Sequence, residues 1–461
     1  MITRRNLLKT GGLIAASGAG LGLLGGYRAV RAAAPVELKA RETAAVLDGT
    51  ALTEGVMTWN DGPEPPVLRV RQGEPFAARL VNALAEPTTI HWHGLRIPNA
   101  MDGVPFLTQP YVYRDQSFDY AFAPPDAGTF WYHPHCNTLT QMGRGLTGLF
   151  IVENPDDPVF DHEVALNLRD WRLDGQGRFI AQFKPRDAAR TGTFGTVKTA
   201  NWQVAPRYDA PAGGLMRLRL AITDVTRIYR FVLEGAAALV IALDGNPVAV
   251  PFPLDRLELG PGQRVDLAVL MPPEEGAAVR LLNTRTTNPY EIAGFRAVGQ
   301  PLGRALGDLS PLAANPVAEP DLDAATVIPL ELSATAEAAP ADNSFCGSLG
   351  YNFWAINKVP WSGDTPEPHA PIDELKLGRS YILELANRTP HAHPIHLHGM
   401  SFRAIASTNG PVLPHFTDTY MIRPDERVRL ALKADNPGDW VFHCHVIEHQ
   451  KTGMTGLFRV T

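Results

Sequence analysis

The chain has 461 residues, of which 45% are hydrophobic and 20% charged, and its formal net charge at pH 7 is −6. A chain of this length and hydrophobic content can bury several cores, so roughly two to four globular domains are expected. Basic runs are absent from the sequence outside the N-terminus, and a slightly acidic chain of this kind lacks the charge pattern of a nucleic-acid-binding protein. We therefore expect no nucleic-acid partner.

The first 34 residues have the features of an export signal. Arg4 and Arg5 precede an apolar stretch rich in glycine and alanine, and small residues follow at 32–34. This order is typical of a cleavable signal peptide, and the segment TRRNLLK resembles the twin-arginine signal of proteins exported in the folded state. An uncleaved membrane anchor is the alternative, but the apolar stretch is short and interrupted by glycines. We expect residues 1–34 to engage the twin-arginine translocation machinery and the mature protein to be periplasmic or otherwise exported.

Beyond this signal, short β-branched and aromatic runs alternate with turn residues, and long amphipathic helical stretches are scarce. The segments VLRVRQGEPFAARLVN and RLELGPGQRVDLAVLM are examples of the pattern, which is typical of all-β sandwiches or barrels. Two connectors, at residues 153–161 and 300–321, are rich in proline and in acidic or small residues and interrupt it. They predict three domains, at residues 35–155, 156–305 and 306–461.

The first and third of these domains contain an internal repeat. LVNALAEPTTIHWHGL at residues 80–95 aligns without gaps with LANRTPHAHPIHLHGM at residues 385–400, and GTFWYHPHC aligns in the same way with GDWVFHCHV. A third copy, LAITDVTRIYRFVLEG, lies in the middle domain, with Tyr229 and Phe231 where the other copies have histidines. We therefore predict that the outer domains are related, and that the middle domain is a spacer without metal ligands that could also line a substrate site.

Ten of the fourteen histidines lie in four short clusters. Residues i and i+2 of a β-strand face the same side, so each His-x-His pair can present two imidazoles to one place. A lone strand histidine is more often a hydrogen-bonded core residue, whereas four pairs in repeat-related positions predict metal binding. The clusters are HWH (91 and 93), HPH (133 and 135), HPIHLH (393, 396 and 398) and HCHVIEH (443, 445 and 449).

The segment HCHVIEHQKTGM near the C-terminus combines nitrogen and sulfur ligands. Cys444, His449 and Met454 offer a thiolate, an imidazole and a thioether. With a second imidazole from a neighbouring strand, for which His393 is the candidate, they make the ligand set of a blue-copper site. Zinc is the alternative, but structural zinc sites prefer several cysteines and methionine is not a usual zinc ligand.

The equivalent positions of the first domain are Thr88, Pro134 and Leu139, so that domain cannot hold a blue-copper site. Its four His-x-His histidines nevertheless match four in the third domain, and we predict one metal cluster across the interface between the two domains. Of the three cysteines, Cys136 and Cys346 are left over and could pair, but their distance along the chain does not decide this.

With HWHG, WYHPH, HPIHLHG and HCHVIEHQKTGM, the chain resembles the three-domain multicopper oxidases, the family of laccases and cuprous oxidases, along the whole mature sequence. The resemblance implies three tandem cupredoxin-like Greek-key β-sandwich domains with four copper ions per chain. It implies a type 1 copper that accepts electrons and a trinuclear cluster, of one type 2 and two type 3 coppers, that reduces dioxygen to water. The implied ligands are His393, Cys444, His449 and Met454 for type 1, His91 and His396 for type 2, and His93, His133, His135, His398, His443 and His445 for type 3.

Three acids near these motifs are candidates for further roles by the same resemblance. Asp102 matches an acid that delivers protons to the cluster, whereas the alternative is a solvated Asp-Gly turn. Asp418 resembles an acid that hydrogen-bonds a type 1 histidine and meets the electron donor at the rim, or else it is a surface carboxylate. Gln450 occupies a position where some members have an acid, which puts a second proton relay there in doubt. Glu448 either orients ligands or faces solvent.

These features predict an oxidase that couples one-electron oxidation of phenols, aromatic amines or metal ions to four-electron reduction of dioxygen. A periplasmic cuprous oxidase for copper tolerance is the alternative, but the nine methionines form no cluster, which favours organic donors. Met454 as axial ligand predicts a low type 1 potential and easily oxidised donors. Copper storage, nitrite reduction and a copper-free structural role fit the ligand set less well. We expect a monomer whose partners are an electron donor and dioxygen.

Overall fold

The computed structural model describes the chain in four stretches, residues 35–62, 64–335, 349–366 and 368–461. Ahead of them, only the backbone of Ala29–Arg31 is described, as a short strand. The export signal expected in residues 1–34 therefore lies almost entirely outside the described residues, as does Cys346. In the described part of the chain, no helix has the length and hydropathy of a membrane-spanning segment.

Nearly all regular structure in the described residues is β, which confirms the all-β class. The strands of the first third are β1 Ala29–Arg31, β2 Val36–Val46, β3 Leu52–Trp59, β4 Val67–Arg71, β5 Phe76–Asn82, β6 His91–His93, β7 Ser117–Phe122, β8 Gly128–His133 and β9 Gly148–Glu153. Those of the middle third are β10 His162–Trp171, β11 Val197–Ala200, β12 Arg207–Pro211, β13 Leu215–Ile222, β14 Tyr229–Glu234, β15 Ala237–Leu243, β16 Asn246–Pro253, β17 Leu257–Leu259, β18 Arg264–Leu270, β19 Ala278–Asn283 and β20 Tyr290–Val298. Those of the last third are β21 Thr326–Ala334, β22 Trp354–Ile356, β23 Asp373–Leu375, β24 Ser380–Asn387, β25 His393–Leu397, β26 Phe402–Ser407, β27 Thr419–Ile422, β28 Arg427–Lys433, β29 Gly438–Cys444 and β30 Thr455–Val460.

Each third forms two sheets that enclose a core of its own. In the first core, for example, Leu80 of one sheet packs in the same cluster as Phe150 of the other. The chain is thus three β-sandwiches in tandem, as predicted. The sheet orders are β1-β4-β9-β8-β6 and β3-β2-β5-β7, then β11-β10-β13-β18-β15-β16 and β12-β20-β19-β14-β17, then β22-β21-β24-β28-β26 and β23-β30-β29-β25-β27.

The repeat between the outer sandwiches appears in their strand register. In the first sandwich, β6 pairs antiparallel with β8 and places His91 opposite His133. In the third sandwich, β25 pairs antiparallel with β29 and places His396 opposite His443. Residues directly opposite on neighbouring strands have adjacent side chains, so each sandwich presents one group of histidines on one face.

A short helix follows each of the strands β8 and β29, which carry His133 and His443 at or next to their ends. Helix α1, Thr138–Gly143, follows β8, and helix α3, Ile447–Lys451, follows β29. The two helices contact each other, and most of their residues are buried. The outer sandwiches therefore meet where their histidine strands end. The remaining helical segments are α2, Pro185–Ala188, and the 3-10 turns Asn99–Met101 and Leu306–Asp308.

Candidate metal centre

Eight histidines converge in the interface between the first and third sandwiches, and none is more than 1% exposed. Their rings contact each other across the domain boundary: His91 stacks on His398 and His93 stacks on His396, each with ring centroids 3.8 Å apart. The four His-x-His pairs thus form one cluster, to which each outer sandwich contributes half. Its members are His91, His93, His133, His135, His396, His398, His443 and His445.

Backbone carbonyls hold the outward Nδ1 atoms of several of these rings. The Nδ1 atom of His133 lies 3.0 Å from the Pro134 carbonyl, and that of His443 lies 2.9 Å from the Cys444 carbonyl. A carbonyl only accepts hydrogen bonds, so each Nδ1 carries the proton and donates it. The Nε2 atom of each ring then presents a lone pair to the interior, which is the form of imidazole that binds metals.

The contacts of His398 show that a cation is needed between the ring nitrogens of the cluster. The Nδ1 of His398 donates to the Asp102 carboxylate at 2.8 Å, so its Nε2 also bears a lone pair, and this lone pair faces the Nε2 of His443 at 3.1 Å. Two lone pairs at this distance repel each other unless a cation binds both. The Nε2 atoms of His91, His133 and His396 are likewise buried without a hydrogen-bond partner in the structure. The donor set therefore fits metal ions.

Burial favours the neutral form of most of these histidines. It is the main cause that lowers the pKa of His93, His135 and His445 well below the ordinary value, and neighbouring histidines lower it further. Imidazole must be unprotonated to bind a metal. A ring that is already neutral at neutral pH releases no proton when the metal binds. Imidazole ligands suit copper, iron and zinc alike, and this cluster alone does not select among them.

A second site, which adds sulfur to the donor set, lies within the third sandwich. The Nδ1 atoms of His393 and His449 are 3.1 Å apart, and each lies within hydrogen-bond distance of the Cys444 Sγ atom, at 3.5 and 3.6 Å. The three atoms form a triangle buried beside Met454 in the same core. Two imidazoles and a thiolate in a trigonal plane, with a thioether nearby, are the ligands of a blue-copper site.

The Nε2 atoms of the two histidines in this second site also have hydrogen-bond partners. His449 donates through Nε2 to the Arg190 carbonyl at 2.7 Å, and the Nε2 of His393 lies 2.7 Å from the Thr389 hydroxyl. These contacts turn both Nδ1 atoms toward Cys444. Burial raises the pKa of the Cys444 thiol, so the thiol keeps its proton until a cation displaces it.

Cys444 connects the two sites through the chain. It lies at the end of β29 between His443 and His445, and alternate residues of a strand face opposite sides. The thiol faces the core of the third sandwich, whereas His443 and His445 face the interdomain cluster. A single peptide bond therefore joins Cys444, a ligand of the second site, to each of two histidines of the interdomain cluster.

Asp102 lies in the interdomain cluster, 1% exposed, and is no solvated turn. Its carbonyl accepts a hydrogen bond from His91 at 2.9 Å, while its carboxylate accepts one from His398. The following residue, Gly103, has φ +81°, and a Cβ atom there would lie 1.8 Å from the Ile90 carbonyl oxygen. The turn thus needs a glycine to bring Asp102 against both histidines.

Asp418 does not lie where the sequence placed it. The expectation that it contacts a type 1 histidine at an exposed rim is wrong, because it is buried between the sandwiches. Its carboxylate receives two hydrogen bonds from Arg264, at 2.8 and 2.7 Å, and its backbone carbonyl accepts one from His396 at 2.9 Å. Burial raises the pKa of Asp418, but Arg264 and His396 lower it by more, so the group is a carboxylate.

Glu448 and Gln450 are also buried, which excludes the solvent-facing position considered for Glu448. The Glu448 carboxylate pairs with Arg172 at 3.2 Å and accepts a hydrogen bond from the Thr193 hydroxyl at 2.7 Å. It therefore fastens α3 to the middle sandwich. The Gln450 Nε2 atom lies 3.3 Å from the Nε2 of His135, so an amide, which is not an acid, lies beside the cluster.

The middle sandwich supplies several of the groups that support the two sites, which the sequence did not indicate. It supplies the Arg190 carbonyl, the Thr193 hydroxyl and the Arg264 guanidinium. Arg264 is fully buried at the start of β18, and an arginine and an aspartate in a strand that is otherwise apolar were a signal that could have been noticed. A backbone carbonyl gives no sequence signal at all. Of the cysteines, Cys136 is disulfide-bonded and Cys444 is free.

Comparisons with known proteins agree with this geometry. The family described as multicopper oxidase matches residues 40–157 and again 338–461. A multicopper oxidase from Pseudomonas thermotolerans, solved as a crystal structure, is 40% identical, covers 94% of this chain and 100% of its own, and superposes with a TM-score of 0.84. A multicopper oxidase of Mycobacterium tuberculosis is 28% identical over 86% of this chain and 82% of its own. A laccase of Thanatephorus cucumeris is 26% identical over 90% of this chain and 89% of its own.

Proposed function

Because the chain belongs to the multicopper oxidases, which are oxidoreductases that use oxygen, we propose that it binds four copper ions and oxidises phenolic or aromatic amine donors in the manner of a laccase. One copper is assigned to His393, Cys444, His449 and Met454, and three are assigned to the eight interdomain histidines. Copper held at the first site would supply an acceptor for single electrons from the donor, and copper held by the eight histidines would supply the redox chemistry for the four-electron reduction of dioxygen to water.

The observation that carries this proposal is the position of Cys444 between His443 and His445. A storage or purely structural metal site has no need for a thiolate ligand whose chain neighbours bind a second, separate group of metals. In an electron-transfer enzyme, this short covalent path joins the site of donor oxidation to the site of oxygen reduction. The donor set of the Cys444 site, two imidazoles and one thiolate with Met454 in the same core, favours copper over zinc.

The outer groups have separate tasks in this scheme. The Arg190 carbonyl and Thr389 orient His449 and His393 so that donor oxidation takes place at a fixed geometry. Asp102 lies inside the cluster and is the carboxylate placed to hold a proton for oxygen reduction through its contact with His398. Gln450 cannot act as a second acid.

We also propose that the chain is exported through the twin-arginine route, on the basis of Arg4 and Arg5 and the apolar stretch after them. This route suits a protein whose metal cluster lies between domains and therefore needs a folded chain. The mature enzyme is proposed to be a monomer, since each outer sandwich supplies half of the cluster within one chain.

Metal analysis together with oxygen uptake tests the function. We expect four coppers per purified chain, the blue absorption of a copper–thiolate site, and four equivalents of a phenolic donor oxidised for each dioxygen consumed. Parallel assays with a phenol, an aromatic diamine and Cu(I), with and without added Cu(II), separate a laccase from a cuprous oxidase. Full copper loading without oxygen consumption would contradict the oxidase function, and oxidation of Cu(I) alone would contradict the organic donor.

A further inference from the structure

A solvent-open cavity of about 630 Å³ lies between the middle and third sandwiches, next to the loop that carries a ligand of the Cys444 site. Its wall includes His391 and Ala392, which directly precede the ligand His393. It also includes Val446, whose carbonyl accepts the backbone hydrogen bond of His449 at 2.9 Å. A molecule in this cavity is therefore close to both imidazole ligands of the electron-accepting site.

The cavity wall is rich in arginine. Four arginines line it, and the described residues of its wall include no aspartate or glutamate. One of them, Arg227, is neutralised by Asp170, at 2.6 Å. The other three differ from it because they share a single carboxylate. They are Arg230, Arg285 and Arg423.

The shared carboxylate belongs to Glu258. It pairs with Arg230 at 2.6 Å, with Arg285 at 2.9 Å and with Arg423 at 2.5 Å. Three positive charges against one negative charge leave an excess of two positive charges beside the cavity. The side chains of these arginines remain between 32% and 39% exposed, so their guanidinium groups can reach a ligand. Guanidinium groups in such a cluster bind carboxylate and sulfonate groups in a planar, bidentate way.

The rest of the wall suits an aromatic ring. Phe194 is 49% exposed and stacks under the Arg227 guanidinium at 5.0 Å, and Ile228, Pro390 and Pro424 add apolar surface. An exposed phenyl group next to a cationic wall binds a molecule that has one aromatic face and one anionic end. A cationic metal ion is repelled by the same wall.

From this geometry we infer that the cavity binds anionic aromatic donors, in particular phenols that carry a carboxylate, and that Arg230, Arg285 and Arg423 determine this specificity. The inference rests on the proposed oxidase function and names its donor class. Each bound phenol loses one electron to the Cys444 site and releases its phenolic proton to solvent. Four such donors supply the four electrons, and solvent supplies the four protons, that convert one dioxygen to two waters.

A matched pair of donors tests the charge preference. The copper-loaded protein is assayed with 4-hydroxy-3-methoxycinnamate and with its methyl ester, which have the same phenol and differ in the charge of the far end. We expect a higher kcat/KM for the acid than for the ester. In Arg285→Gln, the ratio of the two kcat/KM values should fall about fivefold, the change that corresponds to ~1 kcal/mol for one partly exposed charge pair.

Two further variants provide controls. Arg280→Gln removes an arginine of the same sandwich that pairs with Glu234 on the surface and does not line the cavity, and it should leave the ratio unchanged. Glu258→Gln removes the shared negative charge and should raise the ratio, opposite in sign to Arg285→Gln. A ratio that is equal to one in the wild type, or that does not respond to Arg285→Gln and Glu258→Gln, would overturn the inference.

Direct binding separates this inference from the oxidase function. Calorimetry with 3,4-dimethoxycinnamate, which has no phenol to oxidise, should show binding to the wild-type protein. Arg285→Gln should bind the same acid about fivefold more weakly. The methyl ester of the acid should bind still more weakly than this. Binding with this pattern, but without oxygen uptake from any donor, would support the inferred anion preference of the cavity and contradict the proposed oxidase function. Oxygen uptake without any charge-dependent binding would support the proposed oxidase function and overturn the inferred anion preference of the cavity.

Discussion

The first and third sandwiches share one strand register but differ at the position of the Cys444 site. Where the third sandwich has His393, Cys444 and His449, the first has Thr88, Pro134 and Leu139. There the Thr88 hydroxyl donates to Gln141 at 2.7 Å, and the Gln141 amide donates to Glu86 at 2.8 Å. The same architectural position therefore holds sulfur and imidazole ligands in one copy and a hydrogen-bond network of a hydroxyl, an amide and a carboxylate in the other.

This difference separates two functions of the fold. The paired strands fix the His-x-His histidines, and both copies are needed because the cluster lies between them. The first residue of β25, the last residue of β29 and a residue of the helix α3 after it decide whether a sandwich also has a site for a donor's electrons.

Removal of the thiol should make the third sandwich resemble the first. In Cys444→Ser, the softest ligand of the site is lost, so we expect no blue absorption and donor oxidation at background level. The eight interdomain histidines are unchanged, and copper analysis should still give three coppers per chain. Absorption spectra and metal content measure both outcomes, and His393→Ala serves as a second removal that leaves the thiol in place. Blue absorption that persists in either variant would contradict the assignment of the site.

The next prediction concerns the link from the middle sandwich to both outer ones. Arg264 donates to Asp418 of the third sandwich and to the Thr129 carbonyl of the first, and all three residues are buried. Arg264→Leu leaves the Asp418 carboxylate buried without its cation, and we expect a loss of ~3–5 kcal/mol in the free energy of unfolding.

Denaturant unfolding of the loaded protein measures this loss. Arg296→Leu is the matched control, because Arg296 forms an exposed pair with Asp209 and its removal should cost no more than ~1 kcal/mol. Equal losses of unfolding free energy in the two variants would show that Arg264 does not stabilise the contact between the sandwiches. Copper content of the Arg264→Leu protein adds a second reading, since His396 is held by the Asp418 carbonyl and should lose its orientation.

Asp102 acts on the interdomain cluster alone. In Asp102→Asn, the amide can no longer hold an acidic proton, and its oxygen is a weaker acceptor than a carboxylate for the Nδ1–H of His398, so we expect oxygen reduction to slow about 10- to 100-fold. Anaerobic reduction of the blue site by the donor should keep its rate, because the Cys444 site does not contact Asp102. Stopped-flow measurement of both half-reactions distinguishes the two, and a slower anaerobic step would contradict the separation of the sites.

The sequence predicted the parts of this comparison that depend on residue type and spacing. The histidine pairs, Cys444 and the repeat showed where ligands come from, because strand alternation fixes which side chains share a face. The sequence misplaced Asp418, since one residue's position relative to two sandwiches depends on how they dock. It gave no indication of the Arg190 carbonyl, because every residue has a carbonyl and only the fold brings this one to His449.

The smallest effect we expect is a pH dependence that differs between the two outer sandwiches in the copper-free protein. Burial lowers the pKa of His449 from 6.5 to about 3, and it lowers that of His393 as well, whereas Leu139 and Thr88 do not titrate. Below pH 6.5 the unfolded chain binds protons that the folded site refuses, so stability is full above pH 6.5 and falls as the pH decreases toward the folded value.

One histidine contributes at most ~1.4 kcal/mol per pH unit in this range. Hydrogen exchange of the copper-free protein at pH 6.5 and pH 5.5 should therefore show a larger loss of protection in β29 and β30 than in β8 and β9. The eight shared histidines affect both sandwiches alike, so they cancel in the difference. His449→Leu introduces the residue type that the first sandwich has at this position, Leu139. It should reduce the difference in protection loss between the two sandwiches by the contribution of one histidine. Equal losses in the two sandwiches would mean that the interface, rather than the Cys444 site, sets the acid sensitivity of the third.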